Sequence, residues 1–125
     1  AVAYKPNLAF YEALGAAGWE TLRQTLRYLP ERSFKIADAK RGDIGNTAEM
    51  YAKAFFEEMG FDAVTLSPYM GKDSITPFLA YPDKWAIVLA LTSNAGSADF
   101  QQLQSGGKPF WQHVVEKSQQ WGTPD

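Results

Sequence analysis

The stretch Phe34-Lys35-Ile36-Ala37-Asp38-Ala39-Lys40-Arg41-Gly42-Asp43 passes from apolar, β-leaning residues into a dense run of charge. Phe34-Lys35-Ile36-Ala37 reads as a short strand, and Lys40-Arg41-Gly42-Asp43 as the polar turn after it. Side chains alternate along a strand, so Asp38 and Lys40 point the same way if the strand extends that far. Asp43 lies beyond it. Asn46 with Glu49 three residues on resembles a capping box. The helix behind it is predicted to run to about Met59, with Gly60 as its stop.

The same strand-then-helix unit recurs on either side. Upstream, residues 1–4 are apolar and β-leaning until Lys5-Pro6 stops them, because proline cannot donate to a sheet ladder. Asn7 caps a short predicted helix through Leu8, Phe10 and Tyr11. Gly15 and Gly18 are expected to break it. A second helix carries Trp19, Leu22, Leu26 and Leu29 on one face, and Pro30 ends it. Downstream, Ala63-Val64-Thr65-Leu66 is the third strand and Ser67-Pro68-Tyr69-Met70-Gly71 a loop. Thr76-Pro77 reads as a cap followed by proline at the first helical position. Residues 85–91 form a continuous apolar run, the pattern of a strand buried on both faces. Thr92-Ser93-Asn94-Ala95-Gly96 is the loop after it, and a last helix is predicted from about Pro109 to Trp121, with Phe110, Val114 and Val115 as its apolar positions.

Strands and helices therefore alternate four times, which argues for a parallel sheet built from right-handed βαβ units. Polar residues gather just after each strand: Lys5 and Asn7, Asp38 to Asp43, Ser67 to Gly71, Thr92 to Asn94. In parallel α/β folds the carboxyl ends of the strands are where sites form.

The composition narrows the function classes. The 125 residues suit one domain, and no repeat, low-complexity tract or internal boundary interrupts them. With 12 Lys+Arg against 14 Asp+Glu, nothing across the chain points to nucleic acid or an acidic membrane as partner. Cysteine is absent, which excludes disulfides, thiolate zinc sites and a cysteine nucleophile, and is compatible with the cytoplasm. The apolar run 85–91 is far too short to span a bilayer, and no charged-then-apolar leader opens the chain, so neither a membrane anchor nor a signal peptide is expected. With no cysteine and a single histidine, His113, a transition-metal site is not expected, and His113 reads as a helix-face residue.

The chemistry concentrates at Asp38, Lys40 and Asp43. With Lys5 from the neighbouring strand end, two carboxylates and two ammonium groups could converge, and alternating charge of this kind serves proton transfer. The competing reading is a solvated turn with surface ion pairs. Ser105-Gly106-Gly107 lacks a phosphate-loop pattern and reads as a flexible turn. Trp19, Trp111 and Trp121 fall in predicted helices and read as packing residues. Arg41 reads as a lid or dimer contact, or as a plain surface charge.

Asp38-Ala-Lys-Arg-Gly-Asp-Ile-Gly-Asn-Thr47 resembles the signature of the orotidine 5′-phosphate decarboxylase family, in particular its longer bacterial subfamily. Three further segments agree in order: Lys5-Pro-Asn-Leu-Ala-Phe-Tyr-Glu12, Ser67-Pro-Tyr-Met-Gly71 with Asp73-Ser74, and Leu89-Ala-Leu-Thr-Ser-Asn94. The resemblance implies a (β/α)₈ TIM barrel, with residues 1–125 as a partial domain supplying strands two to five and their helices. It implies decarboxylation of orotidine 5′-monophosphate to uridine 5′-monophosphate, in de novo pyrimidine biosynthesis, without any cofactor. The family's charged tetrad falls on Lys5, Asp38, Lys40 and Asp43. Lys40 would donate the proton to pyrimidine C6, Asp38 would crowd the substrate carboxylate, and Lys5 would hold the carboxylates and contact the ribose. Asn7 would touch the ribose, and Thr92 and Ser93 the pyrimidine edge. A homodimer is implied, in which Asp43, with Ile44 and Thr47 beside it, reaches the partner's site.

Such barrels run to about 250 residues. The family's first-strand ribose-binding aspartate, and the glutamine and arginine that grip the phosphate in its last two loops, have no counterpart in these residues. The chain opens inside an apolar run and closes on Thr123-Pro124-Asp125, which reads as a connection, so the ends are expected to be cuts in a longer protein. Two rivals share part of the pattern. Related sugar-phosphate decarboxylases and hexulose-phosphate synthases also carry Asp-x-Lys-x-x-Asp but use Mg²⁺. Alternatively, the segment is a non-catalytic half-barrel.

Overall fold

The computed structural model describes residues 2–123. Ala1, at the start of the first expected strand, and Pro124 and Asp125, in the expected terminal connection, lie outside the described residues.

Four strands form one parallel sheet: β1 (Ala3–Tyr4), β2 (Phe34–Arg41), β3 (Ala63–Leu66) and β4 (Trp85–Val88). Their spatial order is their chain order, β1-β2-β3-β4, with Ala3 beside Phe34, Ile36 beside Ala63, and Ala63 beside Trp85. Every crossover therefore steps the same way across the sheet. That is the winding of a barrel, whereas a doubly wound sheet reverses direction partway. Helices α1 (Leu8–Glu12) and α2 (Gly15–Tyr28) follow β1. Helix α3 (Gly45–Lys53) follows β2 and runs on into a π-helical turn at Ala54–Glu58. A 3₁₀ turn at Lys72–Ser74 and the short α4 (Thr76–Leu79) follow β3. After β4 come α5 (Ser97–Phe100), the hairpin β5 (Gln104–Ser105) and β6 (Lys108–Pro109), and α6 (Phe110–Ser118). Among the described residues, no helix is long and apolar enough to cross a membrane.

The core lies on one face of the sheet. Leu22 and Leu26 of α2, Ala48 and Ala52 of α3, Phe55, Phe61 and Phe78 pack on Ala37, Val64 and Leu66 of the central strands. Strand alternation then turns Asp38 and Thr65 to the opposite face. On β2 and β3 the alternation thus sets Ala37, Val64 and Leu66 toward the core and Asp38 and Thr65 away from it.

Several expectations need correction. Gly18 does not break a helix: it lies buried inside α2, where a Cβ would stand 1.7 Å from the Tyr11 carbonyl oxygen. Its job is to let α1 and α2 cross closely, and the chain turns instead at Gly15, with φ +60°. Strand β2 is eight residues long and takes in Lys40 and Arg41, which were expected in the turn. The Asn46–Glu49 capping box does not form, because Ile44 is the N-cap and Asn46 is already inside the first turn of α3. Thr76 likewise is the first helical residue after the Ile75 cap, and its hydroxyl donates back to Lys72 O at 3.0 Å. The run 85–91 is not a strand buried on both faces. Only Trp85–Val88 is strand, with Trp85 55% and Ile87 37% exposed, since β4 is the sheet edge and no described segment covers that face. The predicted last helix ends at Ser118, so Trp121 packs on the core from beyond it. Ser105-Gly106-Gly107 is more than a flexible turn: Gly106 and Gly107, both at positive φ, close the β5–β6 hairpin.

Candidate active site

Strand β1 ends at Tyr4, and Lys5 follows it; β2 runs beside it and presents Asp38 and Lys40 toward its carboxyl end. The Asp38 carboxylate is the hub. Its Oδ1 accepts from Lys40 Nζ at 2.5 Å and its Oδ2 from Lys5 Nζ at 2.9 Å. The carboxylate is buried, its side chain 9% exposed, while the two lysine side chains are about half exposed. A carboxylate is thus held between two ammonium groups whose outer sides face open space. Burial pushes the Asp38 carboxyl up, but the hydrogen bonds and charges of Lys40 and Lys5 outweigh that, and its pKa lies below the usual carboxylate value.

The backbone here departs from a regular ladder. The β2–β3 register is kept at Ala37 beside Val64 and resumes at Arg41 beside Leu66. Strand β2 therefore takes four steps where β3 takes two, a bulge at the site. Within it Lys40 adopts φ +50°, a left-handed conformation that costs a residue with a side chain roughly 1–3 kcal/mol. The result brings Lys40 back over Asp38, two residues away.

Asp43 does not join this cluster: it forms no ion pair with either lysine, and its Oδ1 accepts from Ile44 N at 2.8 Å. Ile44 and Thr47 sit exposed at the start of α3. Asn7 caps α1, accepting from Ala9 N at 3.1 Å, and bridges Asp38 through the backbone. Thr92 lies after β4, and its loop holds it: its amide donates to Gln101 Oε1 at 2.7 Å and its hydroxyl to Asn94 Oδ1 at 2.6 Å. Ser93 beside it is exposed. An open apolar cleft of about 450 Å³ adjoins Thr92, lined by Ser67, Tyr69, Leu89, Phe100 and Phe110. Lys5, Asp38 and Lys40 are not in its wall. The charged trio and the apolar cleft are thus separate features of the strand ends.

Two partners escaped the sequence reading. Arg41 is not a plain surface charge: it pairs with Glu12 and lies over the rings of Tyr51 and Phe55, 5.4 and 5.6 Å from their centroids. Thr65 is buried and touches the site directly, its hydroxyl 3.2 Å from Asp38 Oδ1. Its only signal was a lone hydroxyl in the strand Ala63-Val64-Thr65-Leu66. His113 behaves as a helix-face residue, bonding Ser105 O at 2.7 Å.

The comparisons with known proteins agree with one another. The model of the Orotidine 5'-phosphate decarboxylase / HUMPS family matches residues 1–122. The orotidine 5'-phosphate decarboxylase of Christiangramia forsetii is 58% identical over 123 residues, covering 96% of this chain and 45% of that protein. The corresponding protein of Bacteroides fragilis is 55% identical over 128 residues, covering 99% and 47%. Among solved structures, Leishmania donovani OMP decarboxylase matches with a TM-score of 0.93 at 47% identity, over 95% of this chain and 48% of that one. The fold is thus part of a (β/α)₈ barrel, as the winding of the sheet indicated. The chain spans about half the length of the relatives it matches.

Proposed function

The chain belongs to the Orotidine 5'-phosphate decarboxylase / HUMPS family, and from that premise we propose that it supplies the reacting half of an active site that converts orotidine 5′-monophosphate to uridine 5′-monophosphate, in pyrimidine biosynthesis. Residues 1–125 are, in this reading, part of a single barrel domain. The observation that carries it is the Lys5–Asp38–Lys40 array, a buried carboxylate between two ammonium groups at adjacent parallel strand ends.

Loss of carbon dioxide breaks the bond between C6 and the carboxylate carbon and leaves the electron pair on C6, with no ring position to accept it. The Lys40 ammonium, fixed beside that carbon, stabilises the developing charge and then gives C6 its proton. Asp38 stands next to the departing carboxylate. Two like charges there penalise bound substrate more than a transition state in which one is dispersing. Lys5 keeps Asp38 ionised in its buried position and contacts the ribose. Asn7 also contacts the ribose, and Thr92 and Ser93 the pyrimidine edge. Asp43, with Ile44 and Thr47, serves the site of a second copy in a homodimer, a role suited to a carboxylate unpaired with either lysine of its own chain. The reaction needs no cofactor in this scheme, and the enzyme works in the cytoplasm.

The test is uridine 5′-monophosphate formation by the full-length protein carrying this segment, with and without EDTA. Turnover that EDTA leaves unchanged is expected. No turnover, or turnover lost to EDTA and restored by Mg²⁺, would instead favour the sugar-phosphate branch of the superfamily.

A further inference from the structure

We propose that Thr65 is a positioning residue, whose buried hydroxyl holds the backbone of Ala39 and Lys40 so that the Lys40 ammonium and the Asp38 carboxylate meet. The inference deepens the decarboxylase reading and rests on it.

The bulge in β2 creates the need. The β2–β3 ladder serves the chain as far as Ala37 and again from Arg41, where Ser67 N donates to Arg41 O at 2.7 Å. Between those points the amides of Ala39 and Lys40 have no carbonyl of β3 as partner. Both donate to one atom, Thr65 Oγ1, at 3.0 and 2.9 Å. A hydroxyl has two acceptor sites and one proton. The two amides fill the former, and the proton is directed at Asp38 Oδ1, 3.2 Å away, with Ala37 O further off at 3.4 Å. Thr65 is 6% exposed, so water has little access to replace it.

The consequence follows from the geometry of Lys40. Its φ of +50° is disfavoured for a side-chain-bearing residue. That conformation persists only where the surroundings impose it, and the bond from its own amide to Thr65 is the contact in place to do so. The same hydroxyl therefore fixes the backbone that aims the ammonium and touches the carboxylate it aims at.

Thr65→Val keeps the shape of the side chain and removes the hydroxyl. In the full-length protein we expect kcat to fall about 10–100-fold, with KM changed by less than about threefold, since the lost contact serves the reacting groups rather than substrate binding. The Ala39 and Lys40 amides should lose protection from hydrogen exchange. Thr65→Ser, which restores the hydroxyl, should recover both. Unchanged kcat in Thr65→Val overturns the proposal, as does a loss that Thr65→Ser fails to rescue. If the valine variant does not fold, Thr65→Ser and Thr65→Ala decide between them, because both lack the methyl and only serine keeps the hydroxyl. Equal activity in those two overturns the proposal. Should the unmutated protein not decarboxylate orotidine 5′-monophosphate, the functional reading fails by itself, and amide exchange in Thr65→Val still decides what Thr65 holds.

Discussion

Lys40 Nζ lies 2.5 Å from Asp38 Oδ1, although one residue separates the two in a strand that would otherwise run them parallel. The contact falls within the bulge, at the left-handed φ of Lys40. The pair is a built feature of the fold and not an incidental surface ion pair, since the carboxylate is buried.

Replacing Lys40 with alanine in the full-length protein should remove both the charge opposite the carbanion and its proton source. Each effect is worth on the order of 10²-fold or more, so turnover is expected to fall by at least about 10³-fold. The thermal unfolding midpoint should drop only modestly, because Lys5 still pairs with Asp38 and half of the Lys40 side chain is in solvent. Near-normal turnover would refute the role given to Lys40.

Asp38 gives a pH signature. Its folded-state pKa lies below the ordinary aspartate value, so its ion pairs contribute stability above the unfolded pKa of about 3.9. That contribution disappears as pH falls through the folded value. The gap in urea midpoint between the unmutated protein and Asp38→Asn should be widest above about pH 5 and close progressively below about pH 4. A gap independent of pH would show that the carboxylate charge is not what stabilises the site.

Gly18→Ala tests the α1–α2 crossing. Alanine is the better helix former by about 1 kcal/mol, but its Cβ would stand 1.7 Å from Tyr11 O, a backbone atom with no freedom to yield. Overpacking of this kind costs about 1–3 kcal/mol or more, so a net loss is expected, read as a lower Tm. A stabilised variant would show that the two helices do not cross at this distance.

The isolated 125-residue polypeptide should show little or no decarboxylation. It spans about half of its relatives' length, and the family's phosphate-gripping loops fall outside the resemblance. Its sheet edge and inner face also leave Trp85, Ile87 and Leu91 exposed, so association that grows with concentration should appear in light scattering. Robust turnover by the polypeptide alone would contradict this.

Local patterns were enough to read the four parallel strands and their alternation with helices, but not α5 or the β5–β6 hairpin. The β3 bounds agree to the residue, and Asn7 caps α1 as its position suggested. Asp38 and Lys40 were legible as a same-side pair, because alternation along a strand is a property of adjacent residues. The misreadings share one cause. Gly18 looked like a breaker because its neighbour Tyr11 is brought to it by a helix crossing. Arg41 looked like surface charge because Glu12 and the ring of Phe55 come from other elements. Residues 85–91 looked doubly buried because apolar content does not reveal whether a neighbouring layer is present.

By itself, then, the sequence determined the order of βα units, the family, and three of the charges that meet at two strand ends. Only the tertiary structure decided how those charges are aimed. The bulge between Ala37 and Arg41 and the placement of Thr65 under the Ala39 and Lys40 amides depend on the register between β2 and β3. Register is set by two segments packing together across some 25 residues of chain. Periodicity within either segment carries no information about it, which is why a single hydroxyl in an apolar strand passed as an ordinary β-branched residue.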